Sequence, residues 1–305
     1  MKRGINIGDH FEETYDTTVP FKTPMQEWYY DKIPKSGFDH VRLPVRWSIW
    51  TDDDNGYKIN PVFFDEVEKT VKRLLGLGLE VVLNVHHFRE ASDDPKGNFK
   101  KLKAIWEQVA KRFCDYPQSL VFEVMNEPTW RTTAEDWNEV QDAIVGVIRE
   151  TNKTRRIMLC GIDYSGIFAL DRMIPPKDDN LIGTFHYYFP LEFTHQGAHW
   201  SPTYKDLSGV SWKGTDEQIS NIENDIRNHA VAWGEKYGIP MNLGEFGVYG
   251  LNAEMEDRAR WTKCVCDTCE KFGISWSYWE LDRGFGCFKP DGEPVVPILN
   301  ALTGR

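Results

Sequence analysis

The stretch Leu120-Val121-Phe122-Glu123-Val124-Met125-Asn126-Glu127-Pro128 decides the fold of this chain. It is an apolar run with one internal charge, Glu123, and such runs are typical of strands buried on both faces. Pro128 lacks a backbone donor and disfavours helix in the residue before it, so we predict that the strand ends there. Glu127 then lies at the carboxyl end of a buried strand, where an unpaired carboxylate is costly. The sequence must therefore supply a partner for Glu127 elsewhere.

Seven further segments have strand character, and helical patterns separate most of them. Asn60-Pro61 predicts the start of one helix, because Asn caps helices and Pro suits their first position. Thr132-Thr133-Ala134-Glu135 resembles a capping box before a second helix, and residues 257–272 predict a third. With 120–126, the predicted strands are residues 4–7, 40–45, 80–86, 156–161, 181–188, 240–245 and 275–279.

Alternating strands and helices predict an α/β protein with a parallel sheet, and eight such units predict a closed (β/α)8 TIM barrel. An open doubly wound sheet is the alternative, but no Gly-rich dinucleotide loop follows an early strand. Without a linker or repeat, we expect one catalytic domain over residues 1–305. Residues 189–214 are irregular and rich in aromatic side chains. A loop of this length after a strand indicates a lid or binding loop on the catalytic face.

Composition restricts the partners. A net charge of -11 argues against nucleic acid or an anionic membrane, and no run of about 18 apolar residues predicts a membrane span. The amino-terminal residues contain no apolar signal-peptide core, so we expect either a cytoplasmic protein or a secreted one whose signal has been removed. Three of the six cysteines lie within residues 264–269, but no second cluster completes a zinc site. We expect reduced thiols, no cofactor or metal, and a monomer.

Polar side chains gather where the predicted strands end, which is where barrel enzymes place catalytic groups. Two of them, Glu127 and Glu245, suit glycoside hydrolysis, which needs a proton donor and a second carboxylate. A separation of about 5–5.5 Å makes the second group a nucleophile with retention of configuration, whereas a wider gap admits water and inverts it. The sequence contains no distance, so both outcomes remain open. The other polar strand-end residues are Arg42, His86, His87, Asn126, His186 and Tyr188.

Five short motifs follow one another along the chain: Arg42-Leu43-Pro44-Val45, His86-His87, Met125-Asn126-Glu127-Pro128, His186-Tyr187-Tyr188 and Gly244-Glu245-Phe246-Gly247. In this order they resemble glycoside hydrolase family 5 of clan A, over essentially the whole chain. Residues 4–8 and 193–200 further resemble endo-β-1,4-glucanases of the Thermotoga type, some of which also cleave mannan.

The resemblance implies a role for each site residue. Glu127 is the expected acid/base, Glu245 the nucleophile, and Asn126 the partner of the sugar 2-hydroxyl. Arg42 and Tyr188 are expected to contact Glu245. The remaining substrate-binding residues are His86, His87 and His186 around the cleaved sugar, Trp279 as its stacking floor, and His195 and Trp200 at the next sugar. One departure concerns the position after Gly8, where the family pattern has Asn and this chain has Asp9.

The sequence therefore predicts a retaining endo-β-1,4-glucanase, a cellulase acting on β-1,4-linked oligo- or polysaccharide. Three alternatives remain: a mannanase or glucomannanase, an exo-acting β-glucosidase or β-mannosidase, and a non-catalytic carbohydrate-binding barrel. Each residue also has a structural interpretation. The two glutamates are also candidates for ion pairs with Arg, and Trp200 and Trp212 for loop packing. Glu280 is expected to be structural and to point away from Trp279, because strand side chains alternate.

Overall fold

The computed structural model describes residues 1–12 and 25–304. Its centre is a closed barrel of parallel strands that follow one another in chain order. This confirms the predicted (β/α)8 fold, although most strands end one to three residues earlier than predicted. The strands are β1 (Arg3–Asn6), β2 (His40–Leu43), β3 (Glu80–Asn84), β4 (Leu120–Glu123), β5 (Ile157–Cys160), β6 (Leu181–His186), β7 (Met241–Glu245) and β8 (Ser275–Tyr278).

Helices surround the barrel, and their starts follow the predicted caps. The Asn60 side chain accepts hydrogen bonds from the amides of Val62 and Phe63, at 2.9 and 3.2 Å. The Thr133 hydroxyl accepts one from Asp136 at 3.1 Å. The helices are α1 (Glu27–Lys35), α2 (Pro61–Gly76), α3 (Phe99–Arg112), α4 (Ala134–Thr151), α5 (Asp216–Asp225), α6 (Ala232–Tyr237), α7 (Met255–Lys271) and α8 (Val296–Thr303).

Shorter elements fill the connections. A π-helical segment, Ile226–Val231, joins α5 to α6, and a small antiparallel hairpin pairs Thr51–Asp52 with Lys58–Ile59. Short helical segments are Arg89–Asp93, Leu191–Thr194, Trp47–Trp50, Asp53–Asn55 and Ile167–Arg172.

Strand alternation divides the barrel interior into an apolar and a polar part. Side chains two positions apart on a strand face the same way. On β3 and β4, the apolar Val82 and Val121 are therefore followed on the same face by Asn84 and Glu123. This interior thus becomes polar towards the carboxyl ends of the strands, beneath the mouth. The apolar cluster consists of Val82, Val121, Met158 and Ile182, with Met1 packed against it.

The long connection after β6 is well anchored rather than an open lid. The Gln196 side chain exchanges hydrogen bonds with the backbone of Val210, at 2.8 and 3.1 Å. Trp212 is 1% exposed, and its amide donates to Asp257 at 3.0 Å. Trp212 therefore packs in the core, whereas Trp200 is 50% exposed.

Two further expectations concern the membrane and the cysteines. No helix within the described residues has the length and apolar character needed to cross a bilayer. All six cysteines lie in the described ranges and are free thiols. Burial raises the pKa of the Cys266 thiol well above its usual value, which keeps it protonated and unreactive.

Candidate active site

A cleft of about 580 Å³ opens at the carboxyl ends of the strands. Arg42 and His186 lie against it and hydrogen-bond to its walls. The structure thus brings every predicted site residue together. The predicted residues that line the cleft directly are His86, His87, Asn126, Glu127, Tyr188, His195, Trp200, Glu245 and Trp279.

Arg42, on β2, connects two carboxylates beneath the cleft. Its Nε and Nη2 donate to the two oxygens of Glu123, each at 2.7 Å, and Nη1 donates to Oε1 of Glu245 at 2.7 Å. The Arg42 side chain is fully buried. Burial by itself would lower the pKa of Arg42, but the charges and hydrogen bonds of Glu123 and Glu245 raise it above its ordinary value. Arg42 therefore stays charged and fixes Glu245 in place.

Two asparagines complete the contacts of this guanidinium. Asn6 and Asn126 accept hydrogen bonds from Arg42 through their side-chain oxygens, at 2.9 and 2.7 Å. Arg has no acceptor, so the Asn126 oxygen must face Arg42 and its NH₂ group must be directed elsewhere. That orientation presents a donor to an oxygen of a sugar in the cleft, as the predicted contact with the 2-hydroxyl requires.

Both oxygens of Glu245 face donors. Besides the Arg42 contact at Oε1, Oε2 accepts a hydrogen bond from the Tyr188 hydroxyl at 3.1 Å and lies 3.6 Å from Nδ1 of His186. Burial raises the pKa of Glu245 above its ordinary value, while the positive charge of Arg42 opposes the rise. The contact with Arg42 suits the ionised carboxylate, because a guanidinium offers no acceptor for a proton on Glu245.

Glu127 has a different environment. Its Oε1 lies 2.8 Å from Nδ1 of His186, and 27% of its side chain is exposed to the cleft. Burial raises the pKa of Glu127 to about 7, and the negative charge of Glu123 adds to the rise, against the charge of Arg42. Burial also lowers the pKa of His186 to about 4, so this imidazole is neutral near neutral pH. Glu127 is thus a carboxylic acid able to hold a proton at mildly acid pH.

The two glutamates are close. One oxygen of each and a ring nitrogen of His186 all lie within 4.8 Å of one another. Within the described ranges, these three residues form the one group positioned to hold a metal ion. Arg42 already compensates the charge of Glu245, however, and a second cation would have to compete with it. The arrangement therefore suits acid–base chemistry better than metal binding.

An aromatic wall stands beside the glutamates. His86 stacks on Trp279, with ring centroids 5.7 Å apart and planes 9° from parallel, and His87 meets His86 edge-on at 4.3 Å. Burial lowers the pKa of His86 well below its usual value and that of His87 to about 4. Neutral rings of this kind provide a flat surface on which the apolar face of a sugar can stack.

A second aromatic group lies further out, on the loops after β6, β7 and β8. Trp200 meets Tyr249 edge-on at 4.8 Å between centroids. His195 contacts Tyr188 at 5.0 Å and Phe285 at 5.9 Å. These contacts connect the outer group to the side chain that hydrogen-bonds Glu245. Tyr249 and Phe285 were missed by the sequence reasoning, because nothing in their local pattern distinguishes them from packing aromatics.

The expectation for Glu280 is wrong. Glu280 and Trp279 both line the cleft, because β8 ends at Tyr278 and the alternation of a strand no longer governs the residues beyond it. Glu280 is 3% exposed, and its Oε2 has no hydrogen-bond partner within the described residues. Gly8 makes room for it, since a Cβ there would lie 2.3 Å from that oxygen. Asp9 lines the same end of the cleft.

Glu12 has a local role. Its carboxylate accepts hydrogen bonds from the amides of Asp9 and His10 and is fully buried. Through these contacts Glu12 holds the backbone of the loop after β1. Asn6, Asn84 and Glu123 belong to the same polar layer as Arg42 but were not predicted as its neighbours. Alternation along β1, β3 and β4 was the signal that would have placed them inside the barrel.

A parallel barrel that carries two opposed glutamates above a buried Arg has the architecture of a glycoside hydrolase. The family described as cellulase (glycosyl hydrolase family 5) matches residues 11–284. The chain belongs to this family and is a glycoside hydrolase.

Among characterised proteins, the chain is similar to endoglucanase H of Acetivibrio thermocellus, with 32% identity over 309 residues. That alignment covers 99% of this chain but 33% of the relative, so the chain spans about a third of that protein's length.

Two solved structures are closely similar. Clostridial cellulose synthase subunit Z (CcsZ) from Clostridioides difficile has a TM-score of 0.94 and 38% identity, with 99% of each chain covered. Cel5A of Thermotoga maritima in complex with mannotriose has a TM-score of 0.92 and 36% identity, covering 99% of this chain and 97% of that one. Cel5A has also been solved with cellobiose.

Proposed function

We propose that the chain is a retaining endo-β-1,4-glucanase in which Glu245 is the nucleophile and Glu127 the acid/base. The observation that carries this proposal is the approach of the two glutamates, with oxygens within 4.8 Å. Retaining glycosidases have carboxyl groups about 5–5.5 Å apart, whereas inverting enzymes need about 6.5–9.5 Å to admit a water.

In the first step, a carboxylate oxygen of Glu245 attacks C1 of the sugar while Glu127 gives its proton to the leaving oxygen. The transition state carries positive charge on the sugar ring. Arg42 is one cation shared by Glu123 and Glu245, so this buried group is net negative and stabilises that charge. Asn126, oriented by Arg42, donates to the sugar, and Trp279 with His86 supports its face.

In the second step, water replaces the leaving group. Glu245 is now an ester and carries no charge. Glu127, which lost its proton in the first step, takes a proton from water, and the water oxygen attacks C1. The bond between C1 and Glu245 breaks, and the product keeps its original configuration.

A β-1,4-glucan is the proposed substrate, in line with the name of endoglucanase H. Mannan is the second candidate, because Cel5A was solved with both mannotriose and cellobiose. The two sugars differ at C2, next to the predicted positions of Asn126 and His86. Initial rates on carboxymethyl cellulose, barley β-glucan, glucomannan and galactomannan decide between them. Product lengths from cellohexaose separate endo from exo cleavage.

Variants of the two glutamates test the mechanism. Glu127→Ala and Glu245→Ala should each abolish turnover of β-glucan while the unfolding transition persists. With a dinitrophenyl cellobioside, azide should restore turnover to Glu127→Ala and yield a β-configured azide product, because azide attacks the glycosyl–enzyme ester. Any rescue of Glu245→Ala should instead yield an α-configured azide product, because azide then displaces the leaving group directly. Glu293→Ala is the matched control, since Glu293 has 68% of its side chain exposed. An α-configured azide product from Glu127→Ala, a β-configured one from Glu245→Ala, or near wild-type activity on β-glucan in either variant would overturn the assignment.

We also propose that residues 1–305 act as one catalytic domain and as a monomer. The continuous barrel supports this, because its first and last strands pair with each other along Arg3–Ile5. Light scattering of the purified chain gives its mass directly. A dimer of twice 35.4 kDa would contradict the proposal.

A further inference from the structure

One end of the cleft carries an acidic cluster that has no part in the proposed mechanism. The cluster consists of Asp9, Glu12, Glu280 and Asp282, from the loops after β1 and β8, which are neighbouring strands. Asp9 and Glu280 line the cleft, as does Arg283. Glu12 and Asp282 are buried. Because carboxyl groups close together repel one another when ionised, a cluster of this kind beside a binding cleft requires an explanation.

Glu280 is the member of the acidic cluster that points to a ligand. It lines the cleft, yet it is 3% exposed, and its Oε2 has no hydrogen-bond partner within the described residues. A buried carboxyl oxygen without a partner is costly in free energy and rare in native proteins. A ligand that enters the cleft and compensates this carboxyl group would remove that cost.

The described charges around Glu280 are mostly negative. Burial raises the pKa of the Glu280 carboxyl well above its usual value, and the negative charges of the other three members add to the rise. The positive charge of Arg283 opposes it. This guanidinium is shared, however, since Nε lies 3.7 Å from Asp9 and Nη1 lies 3.7 Å from Asp282. Glu280 therefore holds a proton in the free protein, and a cationic ligand is attracted to this end of the cleft.

Two tyrosines and a histidine are further titratable groups on the elements packed here. Tyr29, on α1, donates to Asp282 at 2.7 Å and lies 2.9 Å from the His10 ring. Tyr188, after β6, is close enough for the charge of Glu280 to act on its hydroxyl. Burial raises the pKa of both tyrosines well above the usual value, so their hydroxyls stay neutral and bring no positive charge to Glu280.

Asp9 adds a charge that a neutral sugar does not need. The family pattern has Asn at this position, and an amide offers a sugar hydroxyl both a donor and an acceptor. The carboxylate of Asp9 offers acceptors alone and brings negative charge into the cleft. Its position is fixed, because its φ of 59° is left-handed and its amide donates to the Glu12 carboxylate. The exchange of Asn for Asp therefore favours a cationic ligand.

We propose that Glu280 and Asp9 recognise an ammonium group, and that the enzyme accepts β-1,4-glycans that contain amino sugars or carry ammonium-bearing substituents. The proposal rests on the proposed function, because it takes Glu127 as the acid. Glu127 follows β4, which lies across the barrel mouth from β8 and β1. The leaving sugar lies on the side of Glu127, so the ammonium group belongs to the sugar next to the cleaved one on the other, non-reducing side.

An ammonium group suits the acidic cluster better than a hydroxyl does. It has three donors and a positive charge, and hydrogen bonds between charged groups are roughly twice as strong as those between neutral groups. When the ammonium group binds, the proton of Glu280 passes to the solvent, and the carboxylate that forms pairs with the ligand. An amino group has nearly the size of the hydroxyl that it replaces, so the cleft accommodates both sugars.

The test uses three dinitrophenyl β-cellobiosides that differ in the outer sugar alone. This sugar is unmodified in the first, and carries an amino group at C2 in the second and at C6 in the third. Because dinitrophenol is the leaving group, the outer sugar binds on the side of Glu280. At pH 6 the amino groups are protonated, and kcat/KM for one or both amino substrates should exceed that for the unmodified one about tenfold. Preference at C2 indicates amino-sugar polymers, and preference at C6 indicates substituted cellulose.

Variants assign this preference to the acidic cluster. Glu280→Gln keeps the shape of the side chain and should bring the ratio of kcat/KM for amino and unmodified substrate close to one. Asp9→Asn should lower the ratio about threefold, since its side chain is 36% exposed and its charge is partly screened. Asp9→Asn also tests the site if Glu280→Gln does not fold. Glu293→Gln, at a side chain that is 68% exposed, is the control and should keep the wild-type ratio.

Two results would overturn the proposal. The first is a wild-type kcat/KM that is equal or lower for both amino substrates than for the unmodified one. The second is a preference that persists undiminished in Glu280→Gln, or in Asp9→Asn where the former does not fold.

Calorimetry separates this proposal from the mechanism, because Glu245→Gln binds without turnover. Binding of cellobiose that carries an amino group on its outer sugar should release a proton, so its heat should differ between buffers of different ionisation enthalpy. Unmodified cellobiose should give equal heats, and adding Glu280→Gln should abolish the release. No release from either amino disaccharide, or an equal release after Glu280→Gln, would overturn the ammonium site. Failure of the wild type to cleave any β-glucan would instead overturn the proposed function, and calorimetry would still decide the ammonium site.

Discussion

Nη1 of Arg42 lies 2.7 Å from Oε1 of Glu245, and the two side chains are only 0% and 7% exposed. The same guanidinium makes two hydrogen bonds to Glu123, so one positive charge is divided between two carboxylates. A simple pair would neutralise Glu245 and weaken it as a nucleophile. Sharing Arg42 with Glu123 leaves net negative charge beneath the sugar, while still fixing the position of the attacking oxygen.

Removal of the Arg42 cation should lower the free energy of unfolding far more than removal of an exposed cation. Arg42→Met leaves Glu123 and Glu245 buried without a cationic partner, which we expect to cost about 3–5 kcal/mol in the free energy of unfolding. Arg112 also contacts two carboxylates, but its side chain is 41% exposed, so Arg112→Met should cost less than about 1 kcal/mol. Urea unfolding curves of both variants measure the difference.

A double variant checks the cause. If the loss arises from unpaired carboxylates, Arg42→Met combined with Glu123→Gln should recover part of the stability, because one buried charge has gone. Two equal losses for Arg42→Met and Arg112→Met would contradict the interpretation.

The pH dependence of cleavage should reflect the raised pKa of Glu127. The first step needs Glu127 protonated, so kcat/KM for cellopentaose should fall as pH rises through about 7. Glu245 must be ionised, and its raised pKa should move the acid limb above the ordinary carboxyl range. A dinitrophenyl cellobioside needs no proton donor, and its kcat/KM should lose the alkaline limb. An alkaline limb of equal steepness for both substrates would show that a group other than Glu127 causes it.

The same group should make stability depend on pH. Glu127 has a pKa of about 7 in the folded protein against 4.5 ordinarily, so the folded state binds its proton more tightly than the unfolded state does. This contribution is fully present below about pH 4.5 and is lost as pH rises through about 7. Glu127→Gln cannot ionise. Its stability relative to the wild type should therefore increase from pH 5 to pH 8, as measured by urea unfolding. A constant difference across this range would show that Glu127 titrates normally.

Much of the barrel could be predicted from the sequence, because its strands are short apolar runs separated by capped helices. Asn60 and Thr133 accept the amide hydrogen bonds that their positions predicted. The ends of the strands were harder to predict. His86 lies beyond the strand that ends at Asn84, although its amide still donates to the carbonyl of Val45 at 2.8 Å. Glu280 shows the same limit, since alternation was applied to it beyond the end of β8.

The site was predictable as a set of residues and not as a network. Ordered motifs brought Glu127, Glu245 and Arg42 together, but they contain nothing about which carboxylates share the guanidinium. The sharing of Arg42 depends on the stagger of the strands in the closed barrel. This stagger brings Glu123 and Glu245, which lie on strands far apart in sequence, into contact with the same guanidinium. The solvent exposure of individual side chains could not be predicted either. Trp200 and Trp212 lie in the same aromatic loop, and their local sequence does not show which of them is buried.

Those two tryptophans provide a matched pair for the last prediction. Trp200 is 50% exposed beside the cleft, and Trp212 is 1% exposed in the core. Trp212→Ala should lower the free energy of unfolding by about 3–5 kcal/mol, the usual cost of removing a large buried aromatic, with KM for cellopentaose little changed below the melting transition. Trp200→Ala should do the opposite: the midpoint of unfolding should stay close to wild type, while KM rises about five- to tenfold through loss of a stacking surface. The two measurements, urea unfolding and initial rates, are made on the same preparations.

A large loss of stability in Trp200→Ala with unchanged KM would contradict this prediction. It would mean that Trp200 mainly packs its own loop, through its edge-on contact with Tyr249.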